Sequence, residues 1–297
     1  AGGQVAAGER RLGQPRRLAL PRARAGLGWP KLPTLPMPAP VELHALHGLP
    51  HVRPGDDLAA LVLAALDRQR LTLQPGDVLV FAQKIVSKAE GRSVDLRSVT
   101  PSARAIELAG VTGKDARLVE LILAESSAVL RAVPNVLVVR HRLGYVMANA
   151  GIDRSNVPGD SGGNGDGEAE HVLLLPLAPD HSAEALRERL QQRAGVRPGV
   201  IVSDSFGRPW RNGVVNVALG AAGVPSLIDR RGEPDRHGRK LEVTQVAFAD
   251  AVCAGAALAM GEGAEGMPVV IVEGLRPRAP LCGAGALIRP LEQDLFQ

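Results

Sequence analysis

Residues 200–213 read VIVSDSFGRPWRNG and limit the possible folds more than any other stretch of the chain. Val200, Ile201 and Val202 are consecutive β-branched residues, the mark of a buried strand. The run stops on Asp204 and Ser205. Gly207, Pro209 and Gly213 then interrupt it around two guanidinium groups, Arg208 and Arg211. A strand ending in a breaker loop is expected here, and two functions suit it. The Asp-Ser pair can cap the following element and leave a solvated basic loop. Alternatively, carboxylate oxygens at a strand end suit a hard divalent cation, and arginines suit phosphate or carboxylate.

Two further stretches have the same makeup. Residues 136–140 (VLVVR) predict a strand, and the following GYVMANAGIDRSNV carries a lone acid, Asp153, beside Gly151 and the polar Arg154, Ser155 and Asn156. Residues 261–266, GEGAEG, lie between an alanine-rich helical segment and an apolar strand predicted over 268–273. These glycines satisfy G-x-G-x-x-G, but the dinucleotide fingerprint requires a strand before them and a helix after. Here the order is reversed, so the loop meets the negative end of a helix dipole, which favours a cation, with Glu262 as an added ligand. A plain helix-terminating loop is the alternative.

The rest of the chain alternates less regularly. A helix is predicted over 58–66 after Asp57, a strand over 78–82, and helices over 102–108 and 116–130. Then come a strand over 171–177, a helix over 182–194, a polar connection over 229–240 and a helix over 241–260. Short strands also follow one another, which predicts an α+β fold of irregular mixed sheets with flanking helices. Lys84 and Lys88 lie four residues apart just past a strand end and can reach one anion from a helix, or be two surface lysines. His44, His47 and His51 straddle Gly48 and Pro50, which spoils a common helical face for zinc, so they are expected in loops. Residues 158–168 (PGDSGGNGDGE) lack the order of acids in a calcium loop and predict a flexible linker.

Charge and composition exclude several functions. Residues 1–40 hold seven Arg and Lys against Glu9 alone; with the chain at +4, the remainder is −2 and is no polyanion-binding body. Residues 1–38, rich in Arg, Pro and Gly without apolar periodicity, predict a disordered tail, leaving 39–297 as the folded domain. Aromatic residues make up 2%, which disfavours a stacking platform for nucleic acid. Cys253 and Cys282 have no zinc or redox spacing. No apolar run approaches the length of a membrane span, and the first residues lack the apolar core of a signal peptide. A cytoplasmic protein that contacts neither membrane nor nucleic acid is expected.

The segments LPHVRPGDDL (49–58), FAQKIVSKAEGR (81–92), NAGIDRSNV (149–157), VSDSFGRPWRNG (202–213), LEVTQVAFAD (241–250) and MGEGAEGMPVVIVEGL (260–275) together resemble the coenzyme F420-0:L-glutamate ligase family. The resemblance implies an intertwined homodimer and a GTP-dependent ligase. Its substrates would be the deazaflavin coenzyme F420-0 and L-glutamate, and it would form F420-1 and then γ-linked polyglutamate. It also implies Mg²⁺ or Mn²⁺, stimulation by K⁺, and divalent-metal ligands at Asp153, Asp204, Ser205 and Glu262. GTP would be lined by Leu49, Pro50, His51, Val52, Gln83, Lys84, Lys88 and Asn156, and by Met260, Gly261, Glu262, Gly263, Ala264, Glu265, Gly266 and Met267. Asp153, Asp204, Arg208 and Arg211 are the expected catalytic groups, since phosphoryl transfer needs charge neutralisation more than a nucleophile. Other expectations are a metal-dependent nucleotide phosphotransferase and a non-catalytic binding module using the basic tail.

Overall fold

The computed structural model describes residues 40–154 and 171–294. The tail over 1–38, the linker over 158–168 and Asn156 lie outside them.

A mixed five-stranded sheet forms the centre. Its strands in spatial order are β1 (Glu42–Leu46), β12 (Val269–Glu273), β2 (Val78–Ala82), β8 (Gly199–Arg208) and β9 (Arg211–Ala222). Only β2 and β8 run parallel; every other pair is antiparallel. Leu79, Phe81, Val200 and Val202 face α1 (Leu58–Gln69) and α5 (Pro179–Ala194), whereas Val78, Val80 and Ile201 face α6 (Phe248–Met260). The aromatic-poor core is thus built from interleaved aliphatic side chains on both faces of the sheet. Asp57 caps α1 by accepting from the Ala59 and Ala60 amides, as its position before the apolar run predicts.

The connection between β2 and β8 contains a second layer. After α2 (Gln83–Ala89) comes β3 (Ser93–Asp95), which pairs with β7 (His171–Leu173). Helices α3 (Ala103–Thr112) and α4 (Ala116–Ala124) pack with β4 (Ser126–Val133), β5 (Val136–His141) and β6 (Val146–Ala148) around Leu96, Ile122, Leu137 and Val139. A last two-stranded ribbon pairs β10 (Leu227–Asp229) with β11 (Gln245–Ala247). The α+β reading with irregular mixed sheets matches this architecture.

Four predicted elements change. The helix expected over 116–130 ends at Ala124, because Glu125 turns inward to Arg92 and Arg142 and the next residues pair as β4. The strand expected over 171–177 stops at Leu173. The helix expected over 241–260 begins at Phe248; Gln245–Ala247 is spent on the ribbon, where β-branched Val246 opposes Ile228. The breaker loop after Val202 is instead a continuous hairpin, β8 running to Arg208 and β9 starting at Arg211. Its antiparallel partners supply the hydrogen bonds that local propensity does not favour. Of the three N-terminal histidines, His44 lies on β1, while His47 and His51 are in loops.

Candidate active site

The carboxyl ends of β2 and β8 lie side by side, with Phe81 paired to Val202 and Ala82 to Ser203. Val269 at the start of β12 pairs with Phe81, which brings the 261–268 loop to the same level. Open α/β sheets bind ligands at this edge, because loops leaving adjacent parallel strands diverge there and leave a crevice.

Helix α2 begins directly after β2 and carries Lys84 and Lys88 one turn apart. Lys84 Nζ lies 2.6 Å from Asp153 Oδ2. Burial and the neighbouring Lys84 charge lower the Lys88 pKa, with Asp153 opposing the shift. Gln83 is buried behind them, accepting a 2.9 Å hydrogen bond from Ser87 Oγ.

Asp153 is aimed by strained backbone. Asn149, Ala150 and Gly151 all have positive φ, at 54°, 53° and 67°, a conformation costly for Ala150 because its Cβ crowds the following carbonyl. The turn ends in a two-bond bridge in which the Asp153 N–H donates to Leu173 O and the Leu173 N–H to Asp153 O, at 3.0 and 2.8 Å. Gly151 is needed twice over, for its φ and because a Cβ would come 2.7 Å from Met147 Cε.

Asp204, on β8, completes the group. Burial, helped by Asp153 and Glu262, pushes its carboxyl up to about 7 against the downward pull of the Ser205 backbone N–H and Lys84. Asp204 therefore does not cap a helix. It is a strand carboxylate that feels the acids of two separate segments, Asp153 and Glu262. The 261–268 loop that holds Glu262 is itself tied, because Glu265 Oε2 accepts from the Gly263 N–H at 2.8 Å. The returning Glu265 carboxyl fills the space where a Cβ on Gly261 would lie.

The structure therefore pairs Lys84 with Asp153 and places Lys88, Asp204 and Glu262 within the range of their charges. Ser205 follows Asp204 but projects from the opposite face of the strand, across from Asn216. Arg208 and Arg211 pair with each other at the far end of the hairpin, four and seven positions beyond Asp204, and are not brought into the carboxylate group. Leu49, Pro50, His51 and Val52 lead into α1, with Val52 buried and His51 exposed. Met260 closes α6 with its side chain buried, and Gly263, Ala264, Gly266 and Met267 complete the loop. Sequence reasoning missed Asn216: it is buried, and its Oδ1 has no hydrogen-bond partner among the described residues. A single amide inside the apolar run 214–222 was the available signal.

Chemically, three carboxylates from different elements offer oxygen donors of the kind Mg²⁺ or Mn²⁺ takes, although one oxygen from each does not fall within 4.8 Å of the others, and two lysines on one helix turn can neutralise an anion beside them. The chemistry of these donors, rather than their spacing, fits a divalent cation.

Known proteins share much of this sequence. Residues 48–274 match the family described as F420-0:Gamma-glutamyl ligase. The "Coenzyme F420:L-glutamate ligase" of Methanopyrus kandleri is 44% identical over 271 residues, covering 90% of this chain and 99% of that protein. The protein of the same name from Methanothermobacter thermautotrophicus is 45% identical over 260 residues, covering 86% and 99%. The one from Archaeoglobus fulgidus is 42% identical over 260 residues, covering 86% and 96%. With the family match spanning four of the five strands of the central sheet and all three acid-bearing segments, the chain belongs to the F420-0:gamma-glutamyl ligase family.

Proposed function

We propose that this protein is a cytoplasmic, homodimeric, GTP-dependent ligase. It adds L-glutamate to coenzyme F420-0, giving F420-1 and then a γ-linked polyglutamate tail. The observation that carries the reading is the meeting of Asp153, Asp204 and Glu262 with Lys84 and Lys88, in a chain of this family.

A carboxylate is a poor electrophile. In the proposed reaction a carboxylate oxygen of the acceptor attacks the γ-phosphorus of GTP, and GDP leaves with the bridging oxygen. The glutamate amine then attacks the acyl carbon, loses a proton, and phosphate departs. Asp153, Asp204 and Glu262 would hold Mg²⁺ or Mn²⁺, whereas the Ser205 side chain faces away from Asp204. Such ions supply charge neutralisation and an in-line clamp on attacking and leaving oxygens. Lys84 and Lys88 orient and neutralise the phosphates, and the 49–52 and 260–267 segments line the nucleotide. Asn156 and a stimulatory K⁺ belong to the same proposal.

Mass spectrometry after incubation with F420-0, GTP, Mn²⁺ and L-glutamate tests it. The expected products gain glutamate residues, with GDP and phosphate released in step. GDP release that continues unchanged without glutamate and yields no amide would replace the ligase by a phosphotransferase. An unchanged mixture in the presence of bound GTP would reject both.

A further inference from the structure

At the opposite end of the central sheet, β1 and β12 hold a second set of metal-ligating groups. Glu42 and Glu273 are direct cross-strand partners, and His44, two residues on from Glu42, projects from the same face. His44 Nε2 lies 3.5 Å from Glu42 Oε2 and 3.7 Å from Glu273 Oε1. One ligand atom from each residue falls within 4.8 Å of the others. Like charges directly opposed on neighbouring strands destabilise a sheet. Among the described residues no Lys or Arg forms an ion pair with either glutamate; only His44 does.

The geometry points to a binding site for a divalent transition-metal ion, of the Zn²⁺ or Co²⁺ class, held by Glu42, His44 and Glu273. Tetrahedral bonds of about 2.0–2.1 Å place ligand atoms roughly 3.3–3.4 Å apart. The two histidine separations need to close by only a few tenths of an ångström. All three side chains stand on rigid, paired backbone on the face where Leu46 and Ile271 are buried, just beyond the reach of that core. Three protein ligands leave a fourth position for water. An imidazole with two carboxylates selects borderline ions over Mg²⁺, whereas the Asp153, Asp204 and Glu262 set is all oxygen. The two sites are separate: β12 runs from Val269, beside the 261–268 loop, to Glu273, about 13 Å away at the usual rise of a strand. A bound ion would clamp the edge strand β1, which among the described residues pairs only with β12, to its neighbour.

Equilibrium dialysis of the full chain against Co²⁺ in excess Mg²⁺ tests the site, because Mg²⁺ fills the all-oxygen set and Co²⁺ reports an imidazole ligand by its visible absorption. The wild type is expected to take up one more equivalent of Co²⁺ than His44→Ala, with an absorption band that the variant lacks. Glu273→Gln is expected to weaken that uptake at least tenfold. Zn²⁺ should raise the melting temperature of the wild type more than that of either variant. Equal uptake, equal affinity and the same spectrum in wild type and His44→Ala would overturn the proposal. If His44→Ala does not fold, unchanged binding by Glu273→Gln would overturn it as well.

Discussion

Asp204 shares its surroundings with Asp153, Glu262 and Lys84, and burial disfavours its ionised form. Replacing it by Asn keeps the volume and one oxygen donor but removes the charge a cation would use. Metal affinity is expected to fall, and turnover by on the order of 10². The metal-free melting temperature should hold or rise, because a half-buried charge beside two other acids has gone. Mn²⁺ affinity, turnover and melting measured on one Asp204→Asn sample check this; full turnover at saturating Mn²⁺ with a lowered melting temperature would show a structural acid only. Glu125 is the opposite case. Burial raises its pKa, but His141, Arg92 and Arg142 more than offset this and bring it to about 2. The folded value lies below the ordinary one of 4.5, so the stabilisation is present above about pH 4.5 and lost as pH falls towards 2. It is worth about 3 kcal/mol. Glu125→Gln should cost about that much in denaturant unfolding at pH 7, and the gap to wild type should close near pH 2. A gap independent of pH would mean the cost is packing.

Among the elements, the turn before Asp153 couples strain to site geometry. Gly151→Ala forces a Cβ into the positive-φ region and towards Met147 and Leu175, an expected cost of about 1–3 kcal/mol. Mn²⁺ binding should weaken severalfold because the backbone that aims Asp153 shifts. Gly113→Ala is the control: φ is also positive, at +68°, but a Cβ meets nothing within 4 Å. It should destabilise without touching Mn²⁺ binding, and equal effects on Mn²⁺ from both variants would remove the aiming role. Much at this scale was legible in sequence. The Val78–Ala82 strand ends where its apolar run ends, Asp57 caps the helix it precedes, and the 261–268 loop joins a helix to a strand as its glycines indicate. The misses share one cause, partners distant in sequence. Glu125 stops α4 because of Arg92, 33 residues earlier. Residues 203–208 remain a strand because β9 pairs with them. The acids of the site could be named singly, yet their meeting depends on β2 and β8 lying parallel, which no local pattern encodes.

For the molecule as a whole, the outer surface bears on assembly. Trp210, Leu258 and Val243 are 94%, 86% and 84% exposed, and Leu258 projects from α6 among the small residues Ala254, Gly255 and Ala257. Small neighbours let another backbone approach closely while a leucine fills the gap, and burying one such side chain is worth about 1.5–3 kcal/mol. In a symmetric dimer the same residue is buried twice, so one substitution acts on both halves of the interface. If α6 lies in the contact of the proposed homodimer, Leu258→Glu should place two carboxylates in that contact. It should shift the protein towards monomer by at least tenfold in dissociation constant, leaving helix content unchanged. Leu258→Ala should weaken association less. Light scattering across a concentration series, with circular dichroism on the same samples, decides. A wild-type protein that is monomeric at the concentration where it turns over would reject the dimer itself. A Leu258→Glu protein as dimeric as wild type would move the contact to another surface.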